Sequence, residues 1–190
     1  MQHSPDFLSI LQQNPIVAAI KNPQELAACL ESECQIVFVL YGDILHIDEI
    51  TGQIQKAGKR AVVHVDLIEG LAPKDVAIDF IAQKTCADGI ISTKPNLIKY
   101  AKSRDLFTVH RFFILDSIAL ANVAKNLPTN SADAIEIIPG VMPKVIRKVV
   151  QSTAKPVIAG GLIADKEDVM HALQAGATAV SSTNRAVWSL

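Results

Sequence analysis

Two small-residue segments near the C-terminus, Gly160-Gly161 and Ser181-Ser182-Thr183, each follow a short apolar run. Paired glycines let main-chain N–H groups approach an anion closely, and neighbouring hydroxyls add donors without adding charge. Capture of a phosphate monoester is the chemistry this composition suits. Further polar residues follow apolar runs at recurring intervals: Lys21; Gly42 and Asp43; His64, Asp66 and Glu69; Ser92, Thr93 and Lys94. His110 with Arg111, and Glu136 with Pro139 and Gly140, continue the series. A carboxylate in such a place accepts a ligand hydroxyl or acts as a general base, and a lysine or arginine balances an oxyanion.

Each of these residues also has an ordinary structural reading. Lys21 fits a solvated strand end as well as a ligand contact. His64, within Val62-Val63-His64-Val65, reads equally as a core histidine and a functional one, facing away from Val65. Asp66 favours a site role over a cap, Glu69 less so. Thr93 reads first as a helix cap ahead of Pro95, whereas Lys94 has the better claim on a ligand. Arg111 reads as a ligand contact or as the partner of Glu136. That carboxylate stands between Ile135 and Ile137 and requires a cation or hydrogen-bond donor. Asp116 and Asp165 read as helix caps. The chain has no His/Cys/Glu cluster at metal-ligand spacing, and no GxxxxGKS, GxxxxGKT, GxSxG or GxGxxG. Nucleotide hydrolysis and esterase chemistry are disfavoured accordingly.

Placing these groups together requires strands that end side by side. Eight near-continuously apolar runs read as strands covered on both faces: Ile16–Ile20, Ile36–Leu40, Ala61–Val65, Gly89–Ile91, Phe107–Val109, Ala134–Ile138, Val157–Ala159 and Ala177–Val180. Between them, apolar spacings of three and four predict helices over Gln24–Glu31, Ile47–Lys56, Pro73–Lys84, Asn96–Ser103 and Lys166–Ala175. The segment Ser117–Asp133, containing Leu127-Pro128-Thr129-Asn130, reads as a long loop or insertion that breaks the helical layer. Eight alternating units predict an α/β fold, a compact (β/α)8 TIM-type barrel formed as one domain over residues 1–190. In that fold the polar residues after each strand converge on one mouth, and the loops after the seventh and eighth strands commonly hold phosphate.

The chain has 190 residues, 49% of them hydrophobic, enough to fill one sizeable core. Its net charge of −1 provides no global field toward nucleic acid or membrane, so any such partner must be met by a local patch. Three cysteines, Cys29, Cys34 and Cys86, form an odd set without CxxC spacing and fit a reducing cytoplasm. No basic leader precedes a long apolar run and no stretch of about 18 apolar residues occurs, so a soluble, unprocessed cytoplasmic protein is expected.

Several segments carry a family resemblance. Residues Val63-His64-Val65-Asp66-Leu67-Ile68-Glu69-Gly70-Leu71, Asp88-Gly89-Ile90-Ile91-Ser92-Thr93-Lys94, Ile135-Glu136-Ile137-Ile138-Pro139-Gly140-Val141-Met142-Pro143-Lys144 and Ala159-Gly160-Gly161-Leu162-Ile163 resemble the glycerol uptake operon antiterminator regulatory proteins. Asn14-Pro15-Ile16 and Phe38-Val39-Leu40-Tyr41-Gly42-Asp43-Ile44 are similar too. The resemblance implies a non-catalytic barrel that senses glycerol 3-phosphate, needs no cofactor or metal, and binds the leader mRNA of glycerol-catabolism operons to prevent termination. It implies that Gly160, Gly161, Ser181 and Ser182 hold the phosphate, while Asp66, Glu136 or Lys94 meet the glycerol hydroxyls; Lys21 and Arg111 complete the candidate ligand set. For RNA, the candidate donors are Lys144, Arg147 and Lys148 on one predicted helix, with Lys99, Lys102 and Arg104 on another. Self-association would enlarge an RNA surface. The rival reading is a phosphosugar epimerase, isomerase or synthase with Asp66 and Glu136 as acid and base and Lys94 for charge stabilisation.

Overall fold

A strand buried on both faces needs apolar residues at every position, and the eight runs deliver this. In the computed structural model, which describes residues 7–127 and 130–190, they form β1 (Ile16–Ile20), β2 (Ile36–Val39), β3 (Arg60–His64) and β4 (Gly89–Ser92). The second half comprises β5 (Phe107–Phe113), β6 (Ala134–Ile138), β7 (Val157–Gly160) and β8 (Ala179–Ser182). Each strand pairs in parallel with the next, and β8 returns to β1 with Val17 opposite Ser181, closing the ring. The predicted (β/α)8 barrel is therefore the observed architecture.

Alternation along each strand divides the core in two. Val17, Phe38, Val62, Ile91, Val109, Ala134, Ile158 and Ala179 point inward and fill the cylinder. Their neighbours, among them Val37, Val63, Ile90 and Ala159, point outward and pack under the helices. These are α1 (Phe7–Gln13), α2 (Pro23–Leu30), α3 (Ile47–Lys56), α4 (Asp75–Lys84) and α5 (Pro95–Lys102). They continue with α6 (Ser117–Asn126), α7 (Pro143–Gln151), α8 (Lys166–Gln174) and α9 (Arg185–Trp188). Ile47, Ile54, Ile78, Leu97, Ile98 and Ile146 supply the helical side of that outer layer. Helix α1 covers the lower end of the cylinder, where Leu11 is buried with the inner set and Phe7 stacks on Phe107 with centroids 4.0 Å apart.

Two expectations require correction. Ser117–Asp133 is not a long loop. Asp116 is extended, its carboxylate accepts from the Ala119 N–H, and α6 follows with Val123 buried. An N-cap of this kind satisfies one of the donors that a helix start leaves open, and it outweighs the loop signal of the later Leu-Pro-Thr-Asn. Pro128 and Thr129 of that tetrapeptide lie outside the described residues. Strand β5 also runs four residues beyond Val109, because His110, Arg111, Phe112 and Phe113 continue to pair with β6 up to Phe113 opposite Ile138. The polar residues His110 and Arg111 are thus within a strand and not beyond its end. Among the described residues, no helix is long and apolar enough to cross a membrane.

Candidate functional site

Two positions above the inner apolar layer, the period-2 pattern turns polar. Arg111 follows Val109, Glu136 follows Ala134, Gly160 follows Ile158 and Ser181 follows Ala179, each on the inward face. Arg111 and Glu136 stand opposite each other in register, and Arg111 Nε donates to Glu136 Oε2 at 2.6 Å. Ser181 Oγ donates to the other carboxylate oxygen at 2.7 Å. A Cβ on Gly160 would fall 2.5 Å from both Glu136 Oε1 and Ser181 Oγ, so only glycine leaves room for that hydrogen bond. Glu136 is wholly buried and Arg111 is 7% exposed. The ion-pair reading of Arg111 is the one observed: its Nε is the buried donor to Glu136, while among the described residues its two terminal nitrogens make no hydrogen bond.

Arg111 and Glu136 line a cavity of about 400 Å3, whose walls include the loops after β7 and β8. The first loop turns through left-handed backbone at Gly161 (φ 73°) and Leu162 (φ 63°). Leu162 is unusual there, since a side chain in this region costs about 1 kcal/mol or more. Ser182 Oγ donates to the Ile163 carbonyl at 2.7 Å and accepts from the Asn184 N–H, while Asn184 Nδ2 reaches the Ala164 carbonyl at 2.7 Å. Trp188 Nε1 holds the Ser182 carbonyl from behind at 2.7 Å. The two loops are consequently one tied rim. The Ser182 hydroxyl serves this rim and the Ser181 hydroxyl serves Glu136, which leaves the main chain, Thr183 and Arg111 as the groups open to an anion.

Across the mouth lies a second polar cluster. Asp66 accepts from Ser92 Oγ at 2.9 Å, from the Thr93 N–H at 2.8 Å and hydroxyl at 2.9 Å, and from Lys94 Nζ at 3.3 Å. Burial pushes the Asp66 carboxyl up, but these hydrogen bonds and nearby His64 outweigh it and hold the group below its ordinary value. Thr93 is bound to Asp66 in place of the cap expected for α5, whose N-cap residue, Lys94, makes no side-chain capping bond. His64 feels the charges of both clusters, Arg111 from one and Asp66 and Lys94 from the other. Lys21 stands apart: its ammonium is exposed and lies 3.9 Å from Glu25, whose other oxygen accepts from the Lys21 N–H. Sequence reasoning left Asn184 out, although it directly follows the Ser-Ser-Thr run.

The candidate RNA donors form a surface of their own. Lys144, Arg147 and Lys148 are all exposed on α7, a helix without an acidic residue. Several cations elsewhere are matched, Lys21 with Glu25, Arg60 with Asp88, Lys102 with Asp133 and Arg104 with Asp79, whereas among the described residues others such as Lys56, Lys99 and Lys166 are not. Among the described residues, the three α7 cations form no ion pair. The loop entering α7 touches the cavity rim, since the Gly140 N–H donates to the Gly161 carbonyl at 3.1 Å. Among the described residues no group of three or more potential ligands could hold a metal ion.

Known proteins place this arrangement. The chain is 47% identical over 184 residues to the uncharacterized protein YgcP of Escherichia coli (strain K12), covering 97% of this chain and 96% of that one. The crystal structure of a glycerol uptake operon antiterminator regulatory protein from Listeria monocytogenes superposes with a TM-score of 0.88 at 34% identity, over 92% of this chain and 95% of that one. A glycerol uptake operon antiterminator-related protein from Thermotoga maritima gives 0.81 at 33%, over 91% and 96%. Residues 16–188 match the sequence pattern described as Glycerol-3-phosphate responsive antiterminator, and the chain belongs to that family.

Proposed function

We propose that this protein is a transcription antiterminator that binds glycerol 3-phosphate at the barrel mouth and the leader mRNA of glycerol-catabolism operons along α7. The observation that carries the effector half is Arg111, a buried residue that lines a 400 Å3 cavity rimmed by the β7 and β8 loops and whose terminal nitrogens bond to no described residue. A phosphate dianion there would meet a charged fork from below and main-chain amides from the sides. The RNA half rests on three exposed cations on one helix, without ion-pair partners among the described residues. The two halves join at the Gly140–Gly161 hydrogen bond, which ties the loop ahead of α7 to the loop that would close on the ligand.

The enzyme alternative needs a carboxylate free to take a proton. Both oxygens of Glu136 are occupied by Arg111 and Ser181, and Asp66 already accepts from four donors. Neither is poised as a general base.

Filter binding of labelled leader RNA, with and without glycerol 3-phosphate, tests the reading. The metabolite should tighten binding at least fivefold. The Lys144→Ala/Arg147→Ala/Lys148→Ala variant should lower affinity about tenfold or more, and its salt dependence should flatten by roughly 0.7–0.9 in log–log slope for each RNA phosphate that is no longer neutralised. RNA affinity indifferent to glycerol 3-phosphate would remove the coupling, and an unchanged triple variant would move the RNA surface elsewhere.

A further inference from the structure

Among the described residues, His64 Nδ1 is the one shielded side-chain polar atom without a hydrogen bond. His64 is 3% exposed and ends β3 on the inward face, two residues after Val62 of the inner core. A histidine that served packing alone would be expected to have its nitrogens bonded, because an unsatisfied buried polar atom costs about 1–3 kcal/mol. Only Nδ1 is both shielded and unbonded, so Nε2 is not fully shielded, and it too makes no hydrogen bond to another described residue. Burial, and then the charge of Arg111, push the ring's pKa down to about 4. Near neutral pH the ring is therefore uncharged and carries a single N–H. Placing that proton on Nε2 leaves a lone pair buried at Nδ1, which costs less than a buried unpaired N–H.

A neutral donor at this place discriminates between ligands. Arg111 is already matched by Glu136, and Lys94 by Asp66, at 2.6 and 3.3 Å. A second negative charge on the ligand, beyond the phosphate, would find no free counter-charge near His64. A hydroxyl or carbonyl oxygen needs none. Resting on the assignment of this mouth to glycerol 3-phosphate, we propose that His64 is a specificity-determining contact: its Nε2–H reads the uncharged end of a three-carbon phosphate and disfavours analogues that end in a carboxylate.

Calorimetric titration of the full chain with glycerol 3-phosphate, 3-phosphoglycerate and inorganic phosphate tests this. The unmodified protein should prefer glycerol 3-phosphate to 3-phosphoglycerate by tenfold or more. His64→Leu should lose at least tenfold in affinity for glycerol 3-phosphate while binding inorganic phosphate within twofold of the original. His64→Gln, which restores a neutral donor near the Nε2 position, should recover most of the loss. Equal losses for both ligands, or none, would make His64 structural and overturn the proposal. Binding of inorganic phosphate without preference for glycerol 3-phosphate would sink the specificity role yet leave the anion pocket standing; binding of neither would sink the effector assignment along with it. Should His64→Leu fail to fold, nitrogen-15 resonances of the His64 ring in the unmodified protein decide: they should show the proton on Nε2 and move with glycerol 3-phosphate but not with inorganic phosphate. Identical responses to the two would overturn the proposal.

Discussion

Arg111 and Glu136 make stability and recognition depend on the same few atoms. A buried pair of this kind is costly to break from one side, about 3–5 kcal/mol, because the survivor stays charged and dry. Arg111→Met should lower the urea unfolding free energy by that order, and Glu136→Leu likewise. The double variant should lose clearly less than the sum of the two, which a double-mutant cycle measures directly. Ligand binding should be absent wherever Arg111 is missing. The pairing is legible in the sequence, since an apolar run containing one carboxylate demands a cation and Arg111 is the candidate. What spacing does not reveal is how Ser181 and Ser182 are used. Their hydroxyls face acceptors contributed by β6 and by the β7–α8 loop, and only the register of β8 on β7, and of β7 on β6, brings these groups together.

At the level of elements, strand positions are readable to within a few residues because both-face burial forces continuous apolar runs. Helix α6 escapes a sequence reading because a cap at Asp116 and a breaker near Pro128 give opposite signals, and α1 escapes it because seven residues without a basic or acidic end offer little pattern. The contact between the β6–α7 and β7–α8 loops lies wholly outside what spacing can reveal. A Cβ at Gly140 would sit 2.7 Å from the Ala159 carbonyl carbon and 2.8 Å from the Gly160 nitrogen. Gly140→Ala should therefore separate the loops, and in filter binding its RNA affinity should respond less than twofold to glycerol 3-phosphate. A response equal to that of the unmodified protein would show that the signal travels by another route.

For the whole molecule, the fold keeps His64 and His110 dry, and acid should expose this. His64 is pushed down to about 4 by burial and then by Arg111, and His110 is also lowered, chiefly by burial. Both bind protons more readily once unfolded, where the ordinary value is near 6.5. Stability present above pH 6.5 is therefore lost as pH falls toward 4, with His64 alone contributing about 3 kcal/mol. Urea midpoints measured from pH 7 to 4.5 should fall accordingly, and His64→Gln should flatten the decline.

Helix α1 gives that cylinder a stopper at its lower end, with Leu11 as the plug and Phe7 resting on Phe107. A metabolite that enters from above has no back door. Any macromolecule draped across the single doorway would then detain its small guest, so that the lifetime of the occupied state, and not merely its abundance, would depend on who is standing outside.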